Sequence, residues 1–147
     1  MKEQEIMSPL DKEIVYRRLN RLERILLTLE KNAQVNREDY LKNEDLQAAV
    51  ERRLQLAAQI CIDVANYLLA RQRLELPDEE ENLFLSLAKA EIIGSALAEK
   101  MKGIVRFRNI LVHEYLEVDP ELVYRNLKQN LSDFREFIAA ITGYIGT

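Results

Sequence analysis

Residues 44–73, EDLQAAVERRLQLAAQICIDVANYLLARQR, decide the fold. Leu46, Val50, Leu54, Ala57, Cys61, Val64 and Leu68 recur in steps of three and four, the period of one helix face. The spacing predicts a helix from Tyr40 or Glu44 to about Arg73. That is long for a globular protein, and a kink or an inter-subunit role would account for it. Ala48, Ala49, Ala57, Ala58 and Ala65 leave room for another helix to come close. Glu51, Arg52 and Arg53 interrupt the apolar face, either as surface ion pairs at helical spacing or as a functional patch.

On the N-terminal side, Ser8, Pro9 and Asp11 are helix-start residues. Val15, Leu19, Leu22, Leu26 and Leu29 then form a core-facing stripe, with Arg17, Arg18, Arg21, Glu23 and Arg24 mostly on the other side. Residues 32–39 are polar and read as a connection. On the C-terminal side, Leu76 before Pro77 is expected to end the long helix. Asp78, Glu79, Glu80 and Glu81 would cap a short helix with negative charge at its positive end. Leu83, Phe84, Leu87 and Ala88 are its expected buried face, Gly94 its close, and Ser95 the cap of a helix reaching about Leu116. Asp119, Pro120 and Glu121 start a last helix to about Ile141, striped by Val123, Leu127, Leu131, Phe134, Ile138 and Ile141. No segment alternates with period two. The expectation is an all-α fold, an up-and-down bundle of four or five helices, as a single domain over residues 1–147.

The 147 residues, 48% apolar and 31% charged, are enough for one cored domain. No run is apolar enough to span a bilayer, and the charged N-terminus lacks a signal segment, so a cytoplasmic location is expected, with no membrane partner. Cys61, the single cysteine, sits among Ile60, Ile62 and Val64 and reads as a buried small hydrophobe. One His and one Cys argue against a structural zinc site, which wants four such ligands, and no acidic cluster converges in the sequence to suggest magnesium. No metal and no cofactor are expected. The net charge of −4 argues against a general nucleic-acid coat but allows a local basic patch.

The chemistry concentrates in residues 106–115, RFRNILVHEY, which hold the only histidine. Arg108 is a permanent cation that grips phosphate in a fork, and His113 exchanges a proton near neutral pH. Ile110, Leu111 and Val112 between them suggest a helix packed into a core. Lys100, Lys102, Arg106 and Arg108 precede His113, with only Glu99 opposing them in the sequence nearby. Such a cleft would concentrate an anionic substrate on an acidic protein. A neutral His113 could take the proton of an RNA 2′-hydroxyl while Arg108 stabilises the developing phosphorane charge. That leaves a 2′,3′-cyclic phosphate and a 5′-hydroxyl without a metal. On one straight helix Arg108 and His113 point about 140° apart. Either the helix distorts there, or a second copy completes the site; a symmetric dimer is the preferred arrangement. Spacing alone leaves other readings open: His113 as a structural residue paired with Asn109 or Glu114, and Tyr115 as core, stacking platform or modified hydroxyl.

The order Arg108, Asn109, three residues, His113, one residue, Tyr115, with Phe107 before it and Val118, Asp119 and Pro120 after, resembles the active-site motif of HepT-like toxins of the minimal HEPN family. Residues 49–55, AVERRLQ, look like that family's second helix, and residues 123–141 are similar to its last. The resemblance implies an all-helical homodimer acting as a metal-independent endoribonuclease, the toxin of a type VII-like toxin–antitoxin pair. It implies Arg108 and His113 as catalytic residues in a dimer-interface cleft, with Asn109 supporting them. Lys102 and Arg106 are the expected RNA contacts. The implied partner is a minimal nucleotidyltransferase antitoxin that transfers AMP to Tyr115, placing bulk and negative charge beside the basic cleft. The alternatives are a non-catalytic HEPN-type module binding a nucleotide or a nucleotidyltransferase, and a helical interaction protein with a structural His113.

Overall fold

The computed structural model describes residues 7–113 and 117–146, and among these it is all-helical. Seven α-helices follow one another: α1 (Pro9–Asn32), α2 (Arg37–Leu41), α3 (Glu44–Arg71), α4 (Leu83–Lys89), α5 (Ser95–Val112), α6 (Pro120–Gln129) and α7 (Leu131–Gly146). A single 3-10 turn, Glu80–Asn82, leads into α4.

Helix α1 starts on a reciprocal cap. The Asp11 amide donates to Ser8 Oγ at 3.1 Å, and the Ser8 amide donates to Asp11 Oδ2 at 3.0 Å. The expected stripe is the buried one: Val15, Leu19, Leu22, Leu26 and Leu29. Helix α3 is the centre of the molecule. Val50, Leu54, Ala57, Cys61, Val64 and Leu68 are buried as the period required, and Ala58, Ile60, Ile62, Ala65 and Leu69 widen that face. A face this broad packs against α1, α4, α5 and α7 at once. Truncating Leu54 or Leu68 to alanine would cost about 2–5 kcal/mol. Burial pushes the Cys61 thiol far up, so it behaves as the small hydrophobe expected. Phe84 of α4 meets Phe137 of α7 edge-on, with ring centroids 5.6 Å apart.

Four helix boundaries differ from the sequence expectation. The polar connection contains α2, capped by Asn36 Oδ1 accepting from the Asp39 amide at 2.9 Å, and Tyr40 of this short helix is fully buried. Helix α3 ends at Arg71, close to the expected Arg73 and ahead of Leu76. Arg73 takes a left-handed φ of 59°, which turns the chain so that the Leu74 amide donates to Leu69 O at 2.9 Å. Glu91, with φ 61°, ends α4 the same way, its neighbour Ile92 donating to Leu87 O at 2.9 Å. Gly94 consequently caps the start of α5, and Ser95 is the first helical residue. The last helix is two, broken at Asn130; α1, α3, α5, α6 and α7 are the helices of ten or more residues, with the short α2 and α4 between them. Asn130 leaves the helical backbone at φ −114° and ψ 1°; its amide still donates to Asn126 O at 2.9 Å, and its carbonyl accepts from the Asp133 amide at 3.2 Å as α7 begins. Asp119 and Pro120 begin α6 as expected, with Asp119 Oδ1 accepting from the Glu121 amide at 3.0 Å.

Candidate functional site

Arg108 lies on the same flank of α5 as Met101, Ile104 and Val105, seven, four and three residues earlier, all of which are buried. It therefore points toward α3 from the edge of the core, and its side chain is only 11% exposed. Every guanidinium nitrogen has a partner. Nε donates to Asn109 Oδ1 at 3.0 Å, Nη1 to Gln59 Oε1 at 2.6 Å, and Nη2 pairs with Glu80 of the 3-10 turn. Gln59 in turn donates from Nε2 to Asp63 Oδ1 at 2.9 Å, so α3 holds the amide that holds the arginine. Phe107, one residue earlier, turns the other way and lines a cavity of about 110 Å³ with Leu54, Ile104, Asp133 and Phe134.

Of the other basic residues, Arg106 reaches the same 3-10 turn as Arg108, while Lys100 and Lys102 are turned elsewhere. Lys100 Nζ bonds Glu136 of α7 at 3.0 Å, and Arg106 Nε bonds Glu81 at 2.7 Å. Lys102 is half-buried on a flank about 120° from Arg108. In the sequence only Glu99 opposed this cluster; the fold brings Glu80, Glu81 and Glu136 to it from other helices.

His113 is exposed and stands just past the end of α5, with φ −82° and ψ 80°. Its amide still reaches Ile110 O at 3.4 Å. As the C-cap of a helix that is regular through Val112, His113 still leaves α5 on a flank well away from that of Arg108. The chain stays helical from Arg108 through Val112 and leaves the helical path only after His113. Ile110 and Val112 are 42% and 39% exposed, against the expectation that they pack into the core; only Leu111 reaches it, half-buried. Arg108 has the inward position at this end of α5, and the residues on either flank are left outside. Glu114 and Tyr115, the implied AMP acceptor, lie outside the described residues. Among the described residues no three His, Cys, Asp or Glu side chains come together as a metal site, and no helix is long and apolar enough to cross a membrane.

The ribonuclease HepT-like family model matches residues 10–141. The chain belongs to that family. An "mRNA nuclease HepT" of Shewanella oneidensis is 35% identical over 96 residues, covering 65% of this chain and 72% of that protein. A "tRNA nuclease HepT" of Aphanizomenon flos-aquae is 29% identical over 141 residues, 96% of each chain. Among solved structures, a tri-AMPylated Shewanella oneidensis HEPN toxin in complex with MNT antitoxin superposes with a TM-score of 0.81 at 27% identity, covering 93% of this chain and 99% of that one.

In this HepT-like chain two residues at the site were missed from sequence. Gln59 had a signal: it is a lone amide inside the apolar run of residues 56–62, LAAQICI, where a polar side chain needs a partner. Glu80 had none, because its pairing with Arg108 is between segments far apart in the chain.

Proposed function

We propose that this chain is a metal-independent endoribonuclease toxin, a single domain over residues 1–147, working as a homodimer with Arg108 and His113 in the cleft between copies. The observation that carries the reading is Arg108: a nearly buried guanidinium, held in orientation by Gln59 and Asn109, five residues before an exposed imidazole, in a chain of the HepT-like ribonuclease family. The neutral imidazole of His113 accepts the proton of a 2′-hydroxyl as that oxygen attacks phosphorus. The bond to the 5′-oxygen breaks, and the leaving oxygen takes a proton from imidazolium or water. Arg108 exchanges its carboxylate partner Glu80, whose side chain is 44% exposed, for a phosphate oxygen, while the two amides keep the fork aimed. Asn109 supports the fork, and Lys102 and Arg106 contribute charge to the RNA path.

The named relatives act on mRNA and on tRNA, which supports RNA as the substrate class here. The AMPylated toxin bound to its MNT antitoxin supports a nucleotidyltransferase partner that modifies Tyr115. Wild type and His113→Ala incubated with RNA in EDTA test the reading. Cleavage only by the wild type, leaving 2′,3′-cyclic phosphate ends, is expected; equal cleavage by both sinks it. A non-catalytic nucleotide- or nucleotidyltransferase-binding module remains the second reading, favoured by the saturation of Arg108 with protein acceptors. It predicts nucleotide binding that persists in His113→Ala and no RNA turnover by the wild type. After co-expression with the antitoxin, the intact mass should rise by one or more AMP units, and Tyr115→Phe should abolish that rise.

A further inference from the structure

A second basic feature sits away from Arg108, between α1 and α3. Arg21, Arg24, Ile25 and Thr28 share one flank of α1 and, with Arg53 of α3, line an open hollow of about 300 Å³. Arg53 is half-buried and fixed, its Nη1 donating to Asn32 Oδ1 at 3.1 Å; Arg21 and Arg24 are exposed. Among the described residues no carboxylate is within ion-pairing distance of any of the three. The acidic residues of the same helix are spent elsewhere. Glu23 and Glu30 lie on the far flank of α1, where both bond Arg135 of α7. The helix therefore sorts its charge, and three arginines converge unneutralised on a protein of net charge −4. Like charges crowded on neighbouring turns repel, so the arrangement is unfavourable until an anion joins it.

From this geometry we infer that the Arg21–Arg24–Arg53 hollow binds the phosphodiester backbone of the RNA substrate, away from the bond that is cut. The inference rests on the ribonuclease reading. The hollow is open, has no aromatic lining and offers guanidinium groups, which suits phosphates rather than base edges. Arg53 and Gln59, which holds Arg108, are six residues apart on α3, about 9 Å along the axis. They are also about 120° apart around α3, so an RNA strand that meets both wraps obliquely across the helix.

The test uses the full chain carrying His113→Ala, so that RNA survives, and reads binding of a labelled single-stranded RNA by anisotropy over a salt series. Replacing all three arginines with Gln should weaken binding about tenfold and lower the salt slope by about 2, near 0.7 per phosphate contact. The triple Arg→Lys variant keeps the charge and should retain most of the slope. Unchanged affinity and slope in the Gln variant overturn the inference, as does failure of the parent to bind RNA. ATP titrated in place of RNA reads the competing source of phosphate: loss of ATP binding with RNA binding intact also overturns it. Cleavage by the otherwise wild-type protein is scored separately. A chain that cuts RNA but binds it independently of these arginines loses this inference alone, and one that cuts nothing loses the ribonuclease reading.

Discussion

Arg108 and Arg135 are both multiply bonded arginines, and they differ in what bonds them. Arg135 of α7 is held by two carboxylates of α1, with Glu30 accepting at 2.7 and 3.0 Å and Glu23 completing the fork. Its charge is more than balanced, and its pKa is pushed far up by hydrogen bonds to Glu30 and then Glu23. Arg108 has two amides and one carboxylate, and the carboxylate belongs to a three-residue 3-10 turn. Amides fix direction without cancelling charge. The first pattern ties two helices together; the second aims a cation and leaves its one ionic partner replaceable by phosphate.

The comparison breaks most visibly on Arg108→Ala. RNA cleavage per folded molecule should fall about 10²- to 10³-fold, as for loss of one oriented transition-state donor, alongside a loss of stability from removing a nearly buried side chain with three partners. Gln59→Met sharpens it, since an apolar side chain of similar length leaves Arg108 present but unaimed. A drop in kcat of about tenfold, near 1.4 kcal/mol of barrier, is expected with RNA affinity nearly unchanged. If affinity falls as far as kcat, Gln59 does not work through orientation. Arg135→Met should act in the opposite sense: about 0.5–1 kcal/mol of stability lost by denaturant titration, discounted because the side chain is 35% exposed, and no loss of cleavage per folded molecule.

The smallest effect concerns the N-terminal cap. The hydrogen bond from Tyr67, at 2.6 Å, and then the Ser8 amide hold the Asp11 carboxyl below its usual value of 3.8. A depressed folded value means that its stabilisation is present above the unfolded pKa and is lost as pH falls through the folded one. Melting temperature should therefore drop below about pH 4, and Asp11→Asn should flatten that drop while lowering stability at pH 7. An unaltered acid limb would show that Asp11 is not the group responsible.

Much of the framework was legible because the stripes on α1, α3 and the C-terminal helices repeat for several turns. The Asp119–Pro120 start was readable from local chemistry alone. The end of α4 was hidden because Glu91 adopts left-handed backbone that sequence habit assigns to glycine. The break at Asn130 is one residue's change of backbone angle, which an otherwise continuous apolar stripe masks. At the site, the motif named Arg108 and His113, while Gln59 and Glu80 depend on which helices pack together. The exposure of Ile110 and Val112 has the same origin, since Arg108 holds the inward position at the end of α5.

The most direct measurement is cleavage of one RNA in EDTA by four proteins: wild type, Arg108→Ala, His113→Ala and the double variant. If the fork and the imidazole serve one chemical step, the double variant should cut no more than a fewfold slower than the slower single variant. Losses that multiply would show that the two residues act independently, and a single variant as fast as wild type would remove that residue from the reaction.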